Sequence, residues 1–233
     1  MSDEGALRRS LARWEGREVS GAWRAKRRLA AAMRVVISRL VATAAPEPEL
    51  SAAADSLERY AERLATQPRP NRYEGWSETS PAGDVGGFFD HSPLIGLSNP
   101  LSPPIELRAE PDQRSVAGRA IFGSAYEGPP GCVHGGYVAA AFDEVLGFAN
   151  ALSGTPGMTG TLTVRYRRPT PLHTELRFEA RYDRTEGRKI FTSGKLFAGE
   201  SLCAEAEGLF ISVGSERFRA LFEERKRRES SGG

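Results

Sequence analysis

The sequence predicts an α+β fold: an antiparallel sheet whose apolar face is covered by one long helix, preceded by an N-terminal helical hairpin. Three observations carry this. From Ile105 onward, apolar and polar side chains alternate with the period of a strand, most clearly Leu176, Phe178, Ala180 and Tyr182 against Glu175, Arg177, Glu179 and Arg181. That alternation breaks over residues 135–150, where Val138, Phe142, Val145, Leu146 and Ala149 fall on one helical stripe. Upstream, over residues 7–64, Ala, Leu, Arg and Glu dominate, and apolar residues recur at helical spacing: Leu29, Met33, Val36 and Leu40, then Leu57, Ala61 and Leu64.

The hairpin breaks at Ala45-Pro46-Glu47-Pro48, because proline cannot continue one helix but can open the next. Residues 1–67 therefore form an N-terminal helical extension. After Gln67 the texture turns to Pro, Gly, Ser and Asn, and residues 68–104 read as a linker. The sheet domain spans residues 105–213. Its first two strands carry Ile105, Leu107 and Ala109, then Val116, Gly118, Ala120 and Phe122, turning at Glu110-Pro111-Asp112-Gln113. The helix follows, then four strands. Leu162, Val164 and Tyr166 alternate in the first of these, and turns at Glu186-Gly187 and Gly199-Glu200 set off the last two, over residues 189–198 and 202–212. An antiparallel sheet needs its apolar face covered, and the one long helix is the available cover. Residues 214–233 are expected to add a basic amphipathic helix over 216–229 and a disordered Ser-Gly end.

With 233 residues, 39% hydrophobic and 27% charged, the composition is that of a globular protein with a feasible core. Cys132 and Cys203 give neither a disulfide framework nor a thiolate cluster, which fits a reducing compartment. No apolar run approaches a membrane span and no cleavable leader is evident, so the expected location is cytoplasmic with no transmembrane segment. His91, His134 and His173 lack metal-ligand spacing with each other or with the cysteines, and no metal or cofactor is expected. A formal charge of +2, with basic residues interspersed among acids and no recognised reader motif, argues against nucleic acid as a partner. The basic hairpin is expected to act as a lid or dimer brace. Contact with a membrane surface or a protein is its alternative.

The segment Gly128-Pro129-Pro130-Gly131-Cys132-Val133-His134-Gly135-Gly136 leads into the helix, where free N–H groups point outward and favour partial negative charge such as a polarised carbonyl oxygen. The glycines could also serve only a sharp strand-to-helix turn. Asp143 lies off the apolar stripe, on the side of Gly136, Ala139, Ala140 and Gly147. A carboxylate ringed by small side chains invites a ligand or a backbone, either as a site or as a tight packing surface. Glu144 shares its face with Tyr137 and Phe148 and looks less open.

The stretch from Glu127 to Gly136, with Asp143 nine residues after His134, resembles the phenylacetyl-CoA thioesterase-like (PaaI-like) branch of the hotdog superfamily. Within that branch it is similar to the mammalian long-chain acyl-CoA thioesterases with a Gly-Pro-Pro-Gly lead-in. Met158-Thr159-Gly160, Tyr166-Arg167-Arg168-Pro169 and Glu186-Gly187-Arg188-Lys189 match as well, so the resemblance covers residues 105–212. It implies a hotdog fold, a sheet wrapped around the central helix; a homodimer or dimer of dimers with active sites at the interface; and hydrolysis of an acyl-CoA substrate without cofactor or metal. It further implies Asp143 as general base or nucleophile, the Gly135 N–H as the group polarising the thioester carbonyl, Thr159 placing water or the carboxylate, and His134 supporting the arrangement. Gly136 is expected at the substrate. Where some hotdog thioesterases carry Asn or Gln before the His-Gly-Gly, this chain has Glu127-Gly128.

Strict strand parity puts Thr159, Thr161, Thr163, Arg165 and Arg167 on one face and Leu162, Val164 and Tyr166 on the other. The arginine face, joined by Arg188 and Lys189, could hold the phosphates of CoA, as matching positions do in the resembling enzymes, or be an ordinary solvated face. Two other activities fit the same fold and substrate: a hotdog hydratase or dehydratase, and a non-catalytic acyl-CoA-binding or scaffolding module.

Overall fold

The computed structural model describes residues 20–67, 90–155, 157–212 and 224. The expected C-terminal basic helix and the first part of the linker lie outside these residues.

Helix α1 (Gly21–Val41) starts at Ser20, whose hydroxyl accepts from the Trp23 N–H, and helix α2 (Glu47–Ala65) starts after an extended Pro46 with Pro48 in its first turn. The two differ in what they bury. α1 turns Ala30 and the half-buried Trp23, Arg27, Arg34, Ile37 and Ser38 inward, whereas α2 buries no residue and stays exposed apart from half-buried Tyr60.

Beyond the helices come β1 (Glu106–Ala109), β2 (Ser115–Ile121), a 3-10 turn (Ser124–Tyr126), helix α3 (Gly135–Ala151), β3 (Gly157–Tyr166), β4 (Glu175–Glu186), β5 (Lys189–Ala198) and β6 (Ser201–Ser212). All strand pairs are antiparallel, in the order β1-β2-β4-β5-β6-β3, so β1 and β3 are the edges. Tight turns at Gly187 and Gly199, with φ of 60° and 56°, reverse the chain between β4, β5 and β6 in the left-handed conformation that glycine adopts without a Cβ clash.

α3 touches all six strands, as a helix enclosed by a curved sheet must. Phe142, Val145, Leu146 and Ala149 on α3 meet Leu176 and Phe178 on β4, Ile190 and Leu196 on β5 and Phe210 on β6, all essentially inaccessible to water. Phe142 and Phe178 pack edge to face with centroids 5.8 Å apart. The alternation seen in the sequence is therefore the burial pattern of the sheet.

Strict parity fails in β3. Thr159 pairs with Phe210 and Thr161 with Leu209, so Gly160 is an extra residue, a bulge. Pairs opposite each other share a face, and Phe210 is on the helix side; Thr159 therefore joins Leu162, Val164 and Tyr166 rather than Arg165. Glycine suits the bulge because a Cβ there would stand 3.1 Å from Ile211 Cγ1.

Residues 90–104, which read as linker from their Pro, Ser and Asn content, are packed in the structure. Leu94 and Ile95 lie against the core, and Asp90, Ser92, Ser98 and Ser102 are buried. The segment joins α1 to the sheet domain through polar contacts that hydropathy does not register. The buried Asp90 carboxylate accepts from Trp23 Nε1 at 2.6 Å, from Arg27 at 2.7 Å and from the Ser98 hydroxyl, and Lys26 meets His91 at 2.6 Å. Arg34 donates to the carbonyls of Leu97 and Asn99. Asp90→Ala removes the acceptor that Trp23, Arg27 and Ser98 share and is expected to cost about 3 kcal/mol. Chemical denaturation should record the loss, with α1 the first element to lose amide protection in hydrogen exchange.

Candidate active site

The loop before α3 is held from both sides. The Val133 N–H donates to the Thr170 carbonyl, and the His134 N–H to that of Tyr126, both at 2.8 Å. The Glu127 carboxylate takes the Gly131 N–H at 2.7 Å and so closes its own loop. His134 is the N-cap of α3, and its Nδ1 accepts from the Gly136 N–H at 3.0 Å. A neutral His134 then carries its proton on Nε2.

The two glycines thus divide their roles. A Cβ at Gly136 would stand 3.1 Å from His134 Nδ1, so glycine there makes room for the cap, and its N–H is already used. The Gly135 N–H meets no acceptor among the described residues, while the Gly135 carbonyl accepts from the Tyr166 hydroxyl at 2.7 Å. The first turn of α3 is pinned to β3 with one donor left over at the positive end of the helix.

Asp143 lies two turns along α3 and is exposed, on the side of exposed Gly136 and the partly exposed Ala139, Ala140 and Gly147. Thr159 Oγ1 donates to its Oδ1 at 2.8 Å, which the Gly160 bulge permits. Asn150 fixes the start of β3 by bonding Gly157 through both amide atoms, Nδ2 to the carbonyl at 3.1 Å and Oδ1 from the N–H at 3.3 Å. The carboxylate is thereby oriented with Oδ2 free to act. Thr159→Val removes the bond with little change in fold, and any turnover that depends on Asp143 should fall about tenfold or more, measured by steady-state kinetics against circular dichroism.

Arg165 and Arg167 lie on the outer face of the sheet, away from Asp143, paired with Glu207 at 2.7 Å and Glu205 at 2.8 Å. Arg188 donates to the Ser212 carbonyl at 3.3 Å, and Lys189 opens β5, exposed. Asp143 and Thr159 are in contact, as are His134 and Gly136; the four basic residues are not part of either cluster.

Glu144, less open than Asp143 by its apolar neighbours in the sequence, is a half-buried carboxyl. Its Oε1 accepts from the Ser92 hydroxyl at 3.2 Å, and burial first, then the neighbouring Asp143, push its pKa up to about 6 against the Ser92 bond. A carboxyl raised from 4.5 to about 6 stabilises the fold fully below 4.5 in its protonated form, and that contribution is lost as pH rises through 6. Glu144→Gln keeps a partner for Ser92 without the charge. Its stability relative to the parent should improve by about 2 kcal/mol between about pH 4 and pH 8, read by denaturant titration at each pH.

A sheet curled around one helix, with a donor at the helix start and a carboxylate two turns on, defines a hotdog domain with a helix-borne acid. The thioesterase superfamily model matches residues 130–205. A crystal structure of a thioesterase superfamily protein is 35% identical, with a TM-score of 0.70, over 80% of this chain and 94% of that one. The chain belongs to the thioesterase superfamily. Among curated proteins, acyl-coenzyme A thioesterase THEM4 of Xenopus laevis is 37% identical over 93 residues, 39% of this chain and 42% of its own length. The THEM4 of Bos taurus is 35% identical over 97 residues, 41% of this chain and 40% of its own. The chain spans about two fifths of the length of these curated relatives.

Proposed function

We propose that the protein hydrolyses an acyl-CoA thioester to the free acid and CoA, with Asp143 as general base. The Asp143–Thr159 contact carries this reading: Thr159 holds Oδ1 and leaves Oδ2 to take a proton from water as the oxygen adds to the thioester carbonyl. The negative charge then developing on the carbonyl oxygen falls on the Gly135 N–H at a helix N-terminus, and collapse expels the CoA thiolate. His134, by occupying the Gly136 N–H, keeps this end of the helix in register. The names of the curated relatives point to acyl-CoA as the substrate.

The site is composed from two copies. Gly135 and Asp143 are eight residues apart on one helix, about 12 Å at 1.5 Å per residue, too far for both to serve one carbonyl. The open edge strand β3, with exposed Met158 and Tyr166, offers pairing to a second chain, which would bring the Gly135 of one copy toward the Asp143 of the other. Arg165 and Arg167, with Arg188 and Lys189, are the groups proposed for the CoA phosphates. The exposed ion pairs of Arg165 with Glu207 and of Arg167 with Glu205 are weak in water and yield readily to a phosphate. Cys132 and Cys203, both free thiols, accord with a reducing, cytoplasmic setting. Among the described residues no helix is long and apolar enough to cross a membrane.

Release of free CoA thiol from a panel of short, aromatic and long-chain acyl-CoAs tests the proposal. Turnover on at least one member is expected. Retention of intact acyl-CoA without release would instead identify a binding module, and water addition to an enoyl-CoA a hydratase.

A further inference from the structure

The N-terminal helices present two apolar stripes that nothing in the described chain covers. On α1, Met33, Val36 and Leu40 continue from half-buried Leu29 at spacings of four, three and four, about 120° round the helix from the face that docks through Trp23, Arg27 and Arg34; Met33, Val36 and Leu40 are 37%, 46% and 57% exposed. On α2, Leu50, Ala54, Leu57, Ala61 and Leu64 repeat at four, three, four and three, and its leucines are 40–50% exposed. Such spacing is the seam of a helix pair, in which each stripe needs a partner helix rather than a flat surface. A 19-residue helix that buries nothing gains little from its own hydrogen bonds and is marginal alone.

We infer that α2 of one copy docks on the outer stripe of α1 of a second copy, so that the helical arms are exchanged between protomers. Charge favours this occupant. α1 has no acidic residue and shows Arg28 and Arg39 on its exposed side, whereas α2 carries Glu47, Glu49, Asp55, Glu58 and Glu62 against two arginines. An anionic lipid surface would attract α1 but repel α2, while each helix suits the other. Within one chain α1 and α2 make at most slight contact, and the connection of residues 42–46 ends in an extended Pro46. A short proline-bearing hinge that holds matched elements apart is the setting in which identical elements are traded between copies, and two-fold symmetry makes the contact twice and closes it. The inference needs a second copy but neither pairing through β3 nor the thioester chemistry.

Two chains with different tags, one Val36→Cys and the other Leu57→Cys, both in a Cys132→Ser background, are co-expressed and oxidised. Disulfide-linked product carrying both tags is expected, with none from either chain alone. A chain carrying both substitutions that closes a disulfide within itself, or the absence of any mixed product, overturns the inference. Independently, Val36→Glu at its exposed site should speed amide exchange in α2 at least about tenfold, since α2 loses its cover. Unchanged α2 exchange overturns the inference as well, and α2 protection gained only on phosphatidylserine vesicles would assign the stripe to lipid. Catalytic activity plays no part in either readout, so loss of the thioesterase proposal would leave this result standing, and the reverse.

Discussion

Replacing Asp143 with asparagine should lower kcat for CoA release by about 10²–10⁴-fold while leaving acyl-CoA affinity close to that of the parent. That range is what a positioned general base contributes. The asparagine amide is nearly isosteric and can still receive the Thr159 hydroxyl through its oxygen, so the position keeps its local bond and loses only the basic atom. Because the side chain is exposed, its replacement burdens no core contact. The effect should therefore appear in kcat rather than in stability, checked by steady-state kinetics beside equilibrium binding of acyl-CoA. In single turnover in ¹⁸O-water, label recovered in the Asp143 carboxyl would mark attack by the carboxylate itself, through a mixed anhydride that water opens at the Asp143 carbon; a general base leaves that carboxyl unlabelled.

Gly135→Pro is expected to abolish activity about as completely, by at least 10²–10³-fold, through a different atom. Gly135 is the first residue of α3, where proline is favoured and its missing N–H costs the helix nothing. His134 before it has φ −59° and ψ 133°, the extended conformation that a following proline requires. A Cβ at this position would meet Tyr166 at ordinary contact distances of 3.4 Å and more. The substitution thus deletes one backbone donor from an otherwise intact helix, and its Cδ fills the space that donor addressed. Gly135→Ala, which keeps the N–H, is the control and should stay within about tenfold of the parent, where loss of one oxyanion donor costs 10²–10³-fold. Co-expressed Asp143→Asn and Gly135→Pro chains should recover about half the parental activity per mixed dimer, since one of its two sites then draws Gly135 and Asp143 from the unaltered halves. No recovery would place both groups in one chain's own site.

Most of the fold was legible because the signals were periodic. The alternation in β4 and the interruption over α3 are direct consequences of burial on one face, and the turns at Gly187 and Gly199 needed residues that tolerate a positive φ. The site was legible in part. Asp143 stood out by its ring of small residues, and its contact with Thr159 was implied by the family resemblance, yet parity alone turned Thr159 to the wrong face. A bulge shifts every later side chain by one, and only the register of the neighbouring strand reveals it.

What sequence missed was polar and long-range. Ser92 and Glu144 are 52 residues apart, and Asp90 meets Trp23 and Arg27 across more than 60. Such contacts leave no periodic trace, and they lie in a stretch whose Pro, Ser and Asn content reads as linker. The informative sign was an acidic residue beside apolar ones: Glu144 among Tyr137 and Phe148 on the helix marked a carboxyl that burial would keep partly protonated.

Whether Asp143 is the base is tested most directly by following thiol release from an acyl-CoA panel by the parent protein and by Asp143→Asn at matched concentration. Turnover by the parent on at least one chain length is expected, with a loss of about 10²-fold or more in the variant and binding retained. Equal rates from the two proteins would contradict a catalytic role for Asp143.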